Sequence, residues 1–153
     1  MSEAIPPSYD PEAFARIKAA LEESAFIRHC GLLLESLAKG RCEARLPLES
    51  VHANAYGLLH GGVVATLIDT VSGVAAWTLA EPDERVSTVE LKVNFIGGVS
   101  TMEGELRASG EVLHRGRTTA VVEADVHGPE GRRIARGLGT FIYLARKREA
   151  AGG

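Results

Sequence analysis

Asp69 is the only ionisable side chain between Gly61 and Ala80, inside the most apolar stretch of the chain. About two helical turns of apolar sequence lie on either side of it, so its own helix cannot solvate it and something else must compensate the charge. A carboxylate in that position can serve as a general base or a nucleophile, its pKa tuned by burial. The structural alternative is an inert acid, hydrogen-bonded at a subunit seam or a cavity. Thr66, Asp69, Thr70 and Gly73 fall at i, i+3, i+4 and i+7, which makes one helix face small and polar enough to border a cavity. His60-Gly61-Gly62 stands where that helix begins. Glycines there leave the first backbone N–H groups uncovered beside the positive end of the helix dipole, where an oxyanion can dock. Read structurally, the same tripeptide is a tight loop-to-helix junction with His60 near the cap. Asn54, slightly upstream, adds an amide that can donate to a carbonyl, hold a water, or simply shape a turn.

The elements that must hold these residues follow from capping and periodicity. Asp10-Pro11-Glu12 reads as a helix start, with a capping carboxylate, a proline at the first helical position and an acid at the positive dipole end. From there the apolar spacing of Phe14, Ile17, Leu21 and Phe26 predicts one amphipathic helix to about Arg28. Gly31 to Leu46 reads as two strands split by a turn at Lys39-Gly40-Arg41. Pro47 to Tyr56, carrying His52 and Asn54, is expected to be a loop. Leu58 to Ala80 is long enough to suggest a membrane span, but it contains His60, Gly61, Gly62, Asp69 and Gly73, and a carboxylate at mid-membrane is costly. A buried helix is the expected form. After the break at Glu81-Pro82-Asp83-Glu84, Thr88 to Phe95 alternates Val89, Leu91, Val93 and Phe95 against Thr88, Glu90, Lys92 and Asn94. The same period marks strands over Met102 to Val112 and Ala120 to His127, and a last strand runs from about Ile134 to Leu144. Turns at Gly97-Gly98, His114 to Arg117 and Gly128 to Gly131 predict hairpins and therefore a four-strand meander. So apolar a helix must be surrounded, and one curved antiparallel sheet wrapped around it gives an α+β fold.

With 153 residues and 45% hydrophobic content, the chain fits a single domain with one core. The net charge of −3 lacks the electrostatic footprint of a nucleic-acid binder. Met1 to Asp10 shows no basic n-region followed by an apolar run, so no secretory signal is expected, and the segment after Arg146 is expected to fray. Cys30 and Cys42 are too few for a disulfide scaffold, which points to a reducing cytoplasm. They form no zinc pattern, and His29, His52 and His127 have no metal-ligand spacing. Neither a metal nor a membrane partner is expected. Tyr56 and Trp77 could line a pocket, with core packing the expected place for Trp77.

Taken together, Asn54, His60-Gly61-Gly62 and Asp69 resemble the signature of hotdog-fold acyl-CoA thioesterases of the phenylacetate-pathway (PaaI-like) branch. The resemblance covers about Leu32 to Leu144 and includes the strand Thr88-Val89-Glu90-Leu91-Lys92-Val93-Asn94-Phe95. It implies that Gly61 supplies the N–H polarising the thioester carbonyl, assisted by His60 and Gly62 at the same turn. It further implies that Asn54 binds the thioester group or water, that Asp69 is the base or nucleophile, and that Thr88 joins the site. Period two puts Thr88 on the face of Glu90 and Lys92, so strand twist or a seam must bring it there. Coenzyme A is then part of the substrate rather than a cofactor. The basic turn His114-Arg115-Gly116-Arg117-Thr118 resembles family turns that meet nucleotide phosphates, with Arg132, Arg133 and Arg136 as further cations.

Gly61 and Asp69 lie eight residues apart, roughly 12 Å along one helix axis. An oxyanion donor and an attacking group must both approach one carbonyl to ~3 Å. Two chains about a two-fold axis resolve this, Gly61 and Asn54 of one meeting Asp69 of the other. The resemblance implies the same homodimer, and a dimer of such dimers. The competing reading is a non-catalytic acyl-CoA-binding or sensing hotdog domain, which would have no need of Asp69. A hydratase on the same fold would want a His and acid pair that the chain lacks. The acyl group is open between aromatic groups such as phenylacetyl and medium straight chains.

Overall fold

The long apolar segment forms helix α3, Gly61–Trp77, whose Val64, Leu67, Ile68, Val71, Ser72, Val74, Ala75 and Ala76 are buried. The computed structural model describes residues 11–145. The expected cap Asp10 and the expected frayed tail therefore lie outside the described residues. Ahead of α3 come α1 (Pro11–Glu23), α2 (Ala25–Cys30), β1 (Leu33–Ala38) and β2 (Arg41–Pro47); after it come β3 (Glu84–Phe95), β4 (Glu105–Arg115), β5 (Thr119–His127) and β6 (Arg133–Ala145). The six strands make one antiparallel sheet in the order β1-β2-β4-β5-β6-β3. Helix α3 packs against every strand from β2 to β6, the α+β hotdog architecture expected from the apolar helix and the alternating strands. No helix among the described residues is long and apolar enough to cross a membrane.

Two glycines let the helix lie this close to the sheet. A Cβ on Gly110 of β4 would stand 2.7 Å from the Val71 carbonyl oxygen, and one on Gly137 of β6 would collide with the Ile68 side chain. Around them, Leu46, Leu106, Val122, Val126 and Ala135 close the core.

Two expectations need correction. The N-terminal helix is not continuous to Arg28. Ser24 leaves the helical conformation, and its side chain accepts from the Ile27 N–H at 3.4 Å to start α2. Serine competes with the helix in this way wherever its hydroxyl can satisfy a free backbone donor. The break resets the phase, so Ile27 is buried and Phe26 is exposed.

The four C-terminal strands are not a plain meander either. β3 pairs with β6 and sits at the sheet edge, with β5 and β6 between it and β4. The connection, residues 96–104, crosses three inter-strand steps, roughly 14 Å at ~4.8 Å each. Nine extended residues can reach about 30 Å, so connection length alone does not force a hairpin. Ile96 and Gly97 both donate to the Ile134 carbonyl where the connection passes the end of β6.

Candidate active site

Asp69 lies on the side of α3 that the sheet leaves uncovered. Thr66, Asp69, Thr70 and Gly73 are all only half-buried, whereas Leu67, Ile68, Val71 and Ser72 are sealed. The shared polar face expected from helical spacing is therefore present. The expectation that α3 is surrounded fails within one protomer, because a single sheet covers only one side of a helix. Asp69 is correspondingly less buried than its apolar neighbours suggest.

Its compensating group is Thr88, whose Oγ1 donates to Asp69 Oδ1 at 2.8 Å. Strict alternation would have turned Thr88 away from the helix. The register between β3 and β6 slips between Thr88 and Glu90, leaving Val89 without a partner. This β-bulge switches the face of the strand. Before it, Val86 packs toward the core; after it, Leu91 and Val93 do, and Thr88 shares the inward side with all three. Val89 itself is 59% exposed. A hydrogen bond to a carboxylate contributes roughly 1.5–3 kcal/mol, and here it fixes one oxygen and leaves the other to act. Thr88→Val is expected to lower kcat roughly tenfold on that basis, with Thr88→Ser restoring most of the loss. Steady-state kinetics on both variants checks this.

Asp69 and Thr88 open onto a cleft of about 380 Å³ lined also by Thr70, Gly73, Trp77 and Phe141. Trp77 packs against the core, as expected, and being only half-buried on the uncovered side of α3 it also lines this cleft.

The other cluster gathers at the start of α3. His52 is buried; its Nδ1 accepts from the Glu49 N–H at 2.9 Å, so Nε2 carries the proton and donates to the Cys30 carbonyl at 2.9 Å. That ties the site loop to the end of α2. Asn54 shapes the loop, its Oδ1 accepting from Tyr56 N at 2.9 Å and Leu58 N at 3.1 Å, while its Nδ2 donors take no part in this turn. His60 caps α3, its Nδ1 accepting from Gly62 N at 2.8 Å. A Cβ at residue 62 would stand 2.9 Å from that nitrogen, so glycine there is what admits the cap.

Of the two glycine N–H groups that the sequence left open to an oxyanion, only one stays open. Gly62 is held by His60, Val63 N donates to the His60 carbonyl, and Gly61 N–H has no acceptor among the described residues. The Thr66 hydroxyl is likewise engaged, donating to the Gly62 carbonyl at 2.8 Å. Gly61 and Asp69 stand at the first and ninth positions of one helix, roughly 12 Å apart along its axis. The protomer thus joins Asp69 to Thr88 and His60 to the glycines that open α3, with Asn54 on the loop before them, but it does not join the two clusters.

The basic turn is only partly available to a ligand. Arg115 donates to the carbonyls of Gly116 and Arg117, pairs with Glu84 at 3.1 Å, and lies 3.5 Å over the Tyr143 ring. Tyr143 in turn donates to the Ala76 carbonyl at 2.8 Å, and burial pushes its hydroxyl pKa up. Gly116 N donates to Thr119 and the Thr118 carbonyl accepts from Tyr143 N, which leaves the exposed Arg117 as the outward cation of the turn. Arg133 and Arg136 are engaged by Asp125 and Glu123. Sequence reasoning missed the clamp of Glu84 and Tyr143 on Arg115, and no local signal announces it, since the partners come from distant strands.

Residues 56–135 match the family model of the thioesterase superfamily. Over 124 residues the chain is 32% identical to the proofreading thioesterase EntH of Klebsiella pneumoniae, across 80% of this chain and 89% of that protein. Over 113 residues it is 26% identical to the 1,4-dihydroxy-2-naphthoyl-CoA hydrolase of Escherichia coli, across 74% of this chain and 82% of that one. Among solved structures, a thioesterase family protein from Silicibacter pomeroyi superposes with a TM-score of 0.80 at 30% identity, across 87% of this chain and 98% of that chain.

Proposed function

The chain belongs to the thioesterase superfamily, and from that premise we propose that it hydrolyses acyl-CoA thioesters at sites shared between two protomers. One observation carries this reading: the Asp69–Thr88 pair sits on the uncovered face of α3, while the free Gly61 N–H stands two helical turns away on the same helix. A second copy related by a two-fold axis brings the Gly61 end of one α3 to the Asp69 of the other, twice over. The unpaired outer edge of β3 is where such a copy can dock. Val89, Phe95 and Ile96, on or just past that strand, are 58 to 60% exposed, an apolar surface of the kind that marks a protein contact. The named activity of the naphthoyl-CoA hydrolase supports a CoA ester as the substrate class.

In the proposed reaction the thioester carbonyl oxygen accepts from the partner's Gly61 N–H, with the partner's Asn54 amide beside it. Asp69, held by Thr88, takes a proton as water adds to the carbonyl carbon, or adds directly through its free oxygen so that loss of the thiolate leaves an acyl–aspartyl anhydride, which water then hydrolyses to the free acid and the Asp69 carboxylate. In either route the C–S bond breaks as the first tetrahedral adduct collapses, the thiolate leaves as coenzyme A and takes up a proton, and the free acid departs last. A thioester carbonyl is weakly resonance-stabilised and thiolate is a good leaving group, so one base and one oxyanion donor suffice. Arg117 faces solvent where it can meet the nucleotide phosphates.

Free-thiol release from a panel of acetyl-, octanoyl-, benzoyl- and phenylacetyl-CoA tests the reading. Saturable release from at least one ester is expected. Tight binding without release from any of them would favour an acyl-CoA-binding module instead.

A further inference from the structure

We infer that the corner between α1 and α2 is the end wall of the acyl pocket, and that Leu21 and Ile27 set the length of the acyl group accepted. This rests on the thioesterase reading above and extends it to specificity. The cleft that begins at Asp69 and Thr88 runs past Gly73, Val74, Trp77 and Phe141 and stops at Leu21 and Ile27. Apart from Asp69, Thr70, Arg85 and Thr88 its lining carries no polar side chain, which suits a thioester with an apolar acyl tail. Gly73 lies against the Phe141 ring, where an added methyl would make van der Waals contact at 3.4 Å.

The break at Ser24 is what builds the wall. Leu21 comes from the last turn of α1 and Ile27 from α2, and an unbroken helix would place them about one and two-thirds turns apart, on different faces, rather than converging on one cleft. Ile27 is buried and anchored in the core, whereas Leu21 is only half-buried. The same two side chains line a second hollow of about 540 Å³, which continues along Gly31, Leu32, Leu33 and Leu34 under the N-terminal helices. Leu21 is therefore a partition between two hollows, the one that Asp69 lines and one whose lining includes the charged Lys18, Glu22, Arg28 and Arg45. The geometry selects apolar acyl groups of medium length or a single aromatic ring over acetyl, and over chains long enough to strike the partition.

The test is kcat/KM measured on even-numbered straight-chain acyl-CoA esters from acetyl to dodecanoyl, for the wild type, Leu21→Ala and Leu21→Trp. In the wild type, values rise about fourfold per methylene buried and then fall where the wall is met. Leu21→Ala joins the two hollows and shifts the optimum to longer chains by two or more carbons. Leu21→Trp fills the cleft end and shifts it to shorter ones. Opposite shifts cannot come from a folding defect. If both variants change all chain lengths by the same factor, the wall is elsewhere and the inference falls while hydrolysis stands. If the wild type releases thiol from none of the esters, the thioesterase reading falls with it.

Discussion

Asp69→Asn lowers kcat by about 100-fold or more, the contribution usual for a general base, and leaves KM for the acyl-CoA nearly unchanged. Asparagine keeps the shape of the side chain and an oxygen able to accept from Thr88 Oγ1, so the 2.8 Å contact and the strand position survive. What disappears is the negative charge and with it the ability to take a proton or form an anhydride with the acyl group. A loss confined to kcat is the signature of a group that acts in the transition state rather than in ground-state binding. The variant should also fold, because asparagine can still accept from Thr88 Oγ1 and removes a half-buried charge that is costly to desolvate. A kcat within a few-fold of wild type would remove Asp69 from the chemistry.

Gly61→Pro isolates the other half of the site. Proline lacks the N–H that Gly61 offers, yet the first helical position is where proline is best tolerated, its missing donor being one the helix does not use. The preceding residue suits it too, since His60 sits at φ −70° and ψ 130°, the extended region that a residue before proline prefers. The fold should persist, and kcat should drop by roughly 100- to 1000-fold, as for removal of an oxyanion donor. Gly61→Ala is the control. It keeps the N–H and adds a Cβ 3.3 Å from the exposed Phe95 ring, which can shift, so most activity should remain. Equal losses in the two variants would mean crowding, not the donor, was responsible.

These residues were legible before any fold was known because each is a local anomaly. A lone acid in an apolar helix, and two glycines at a helix start, stand out against the pattern around them. The polar face of Thr66, Asp69, Thr70 and Gly73 followed from helical period alone. Thr88 was harder. A β-bulge adds one residue to one strand and leaves composition untouched, so alternation counted across Val89 points Thr88 the wrong way. The edge position of β3 was hidden for a related reason: residues 96–104 are short enough for a hairpin and long enough for a crossing, and only pairing with β6 decides between them. Arg115 looked free because Glu84 and Tyr143, which hold it, are remote in the chain. The break at Ser24 was obscured by apolar spacing that continued through it, although serine at that point was a possible cap.

The shared site is tested most directly by unfolding Asp69→Asn and Gly61→Pro proteins together, refolding the mixture, and isolating mixed dimers by two different tags. Each parent alone should be nearly inactive. A mixed dimer carries one site with both defects and one with neither, so its activity should recover to about half that of a wild-type dimer. Purified mixed dimers no more active than either parent would contradict a site built from two chains.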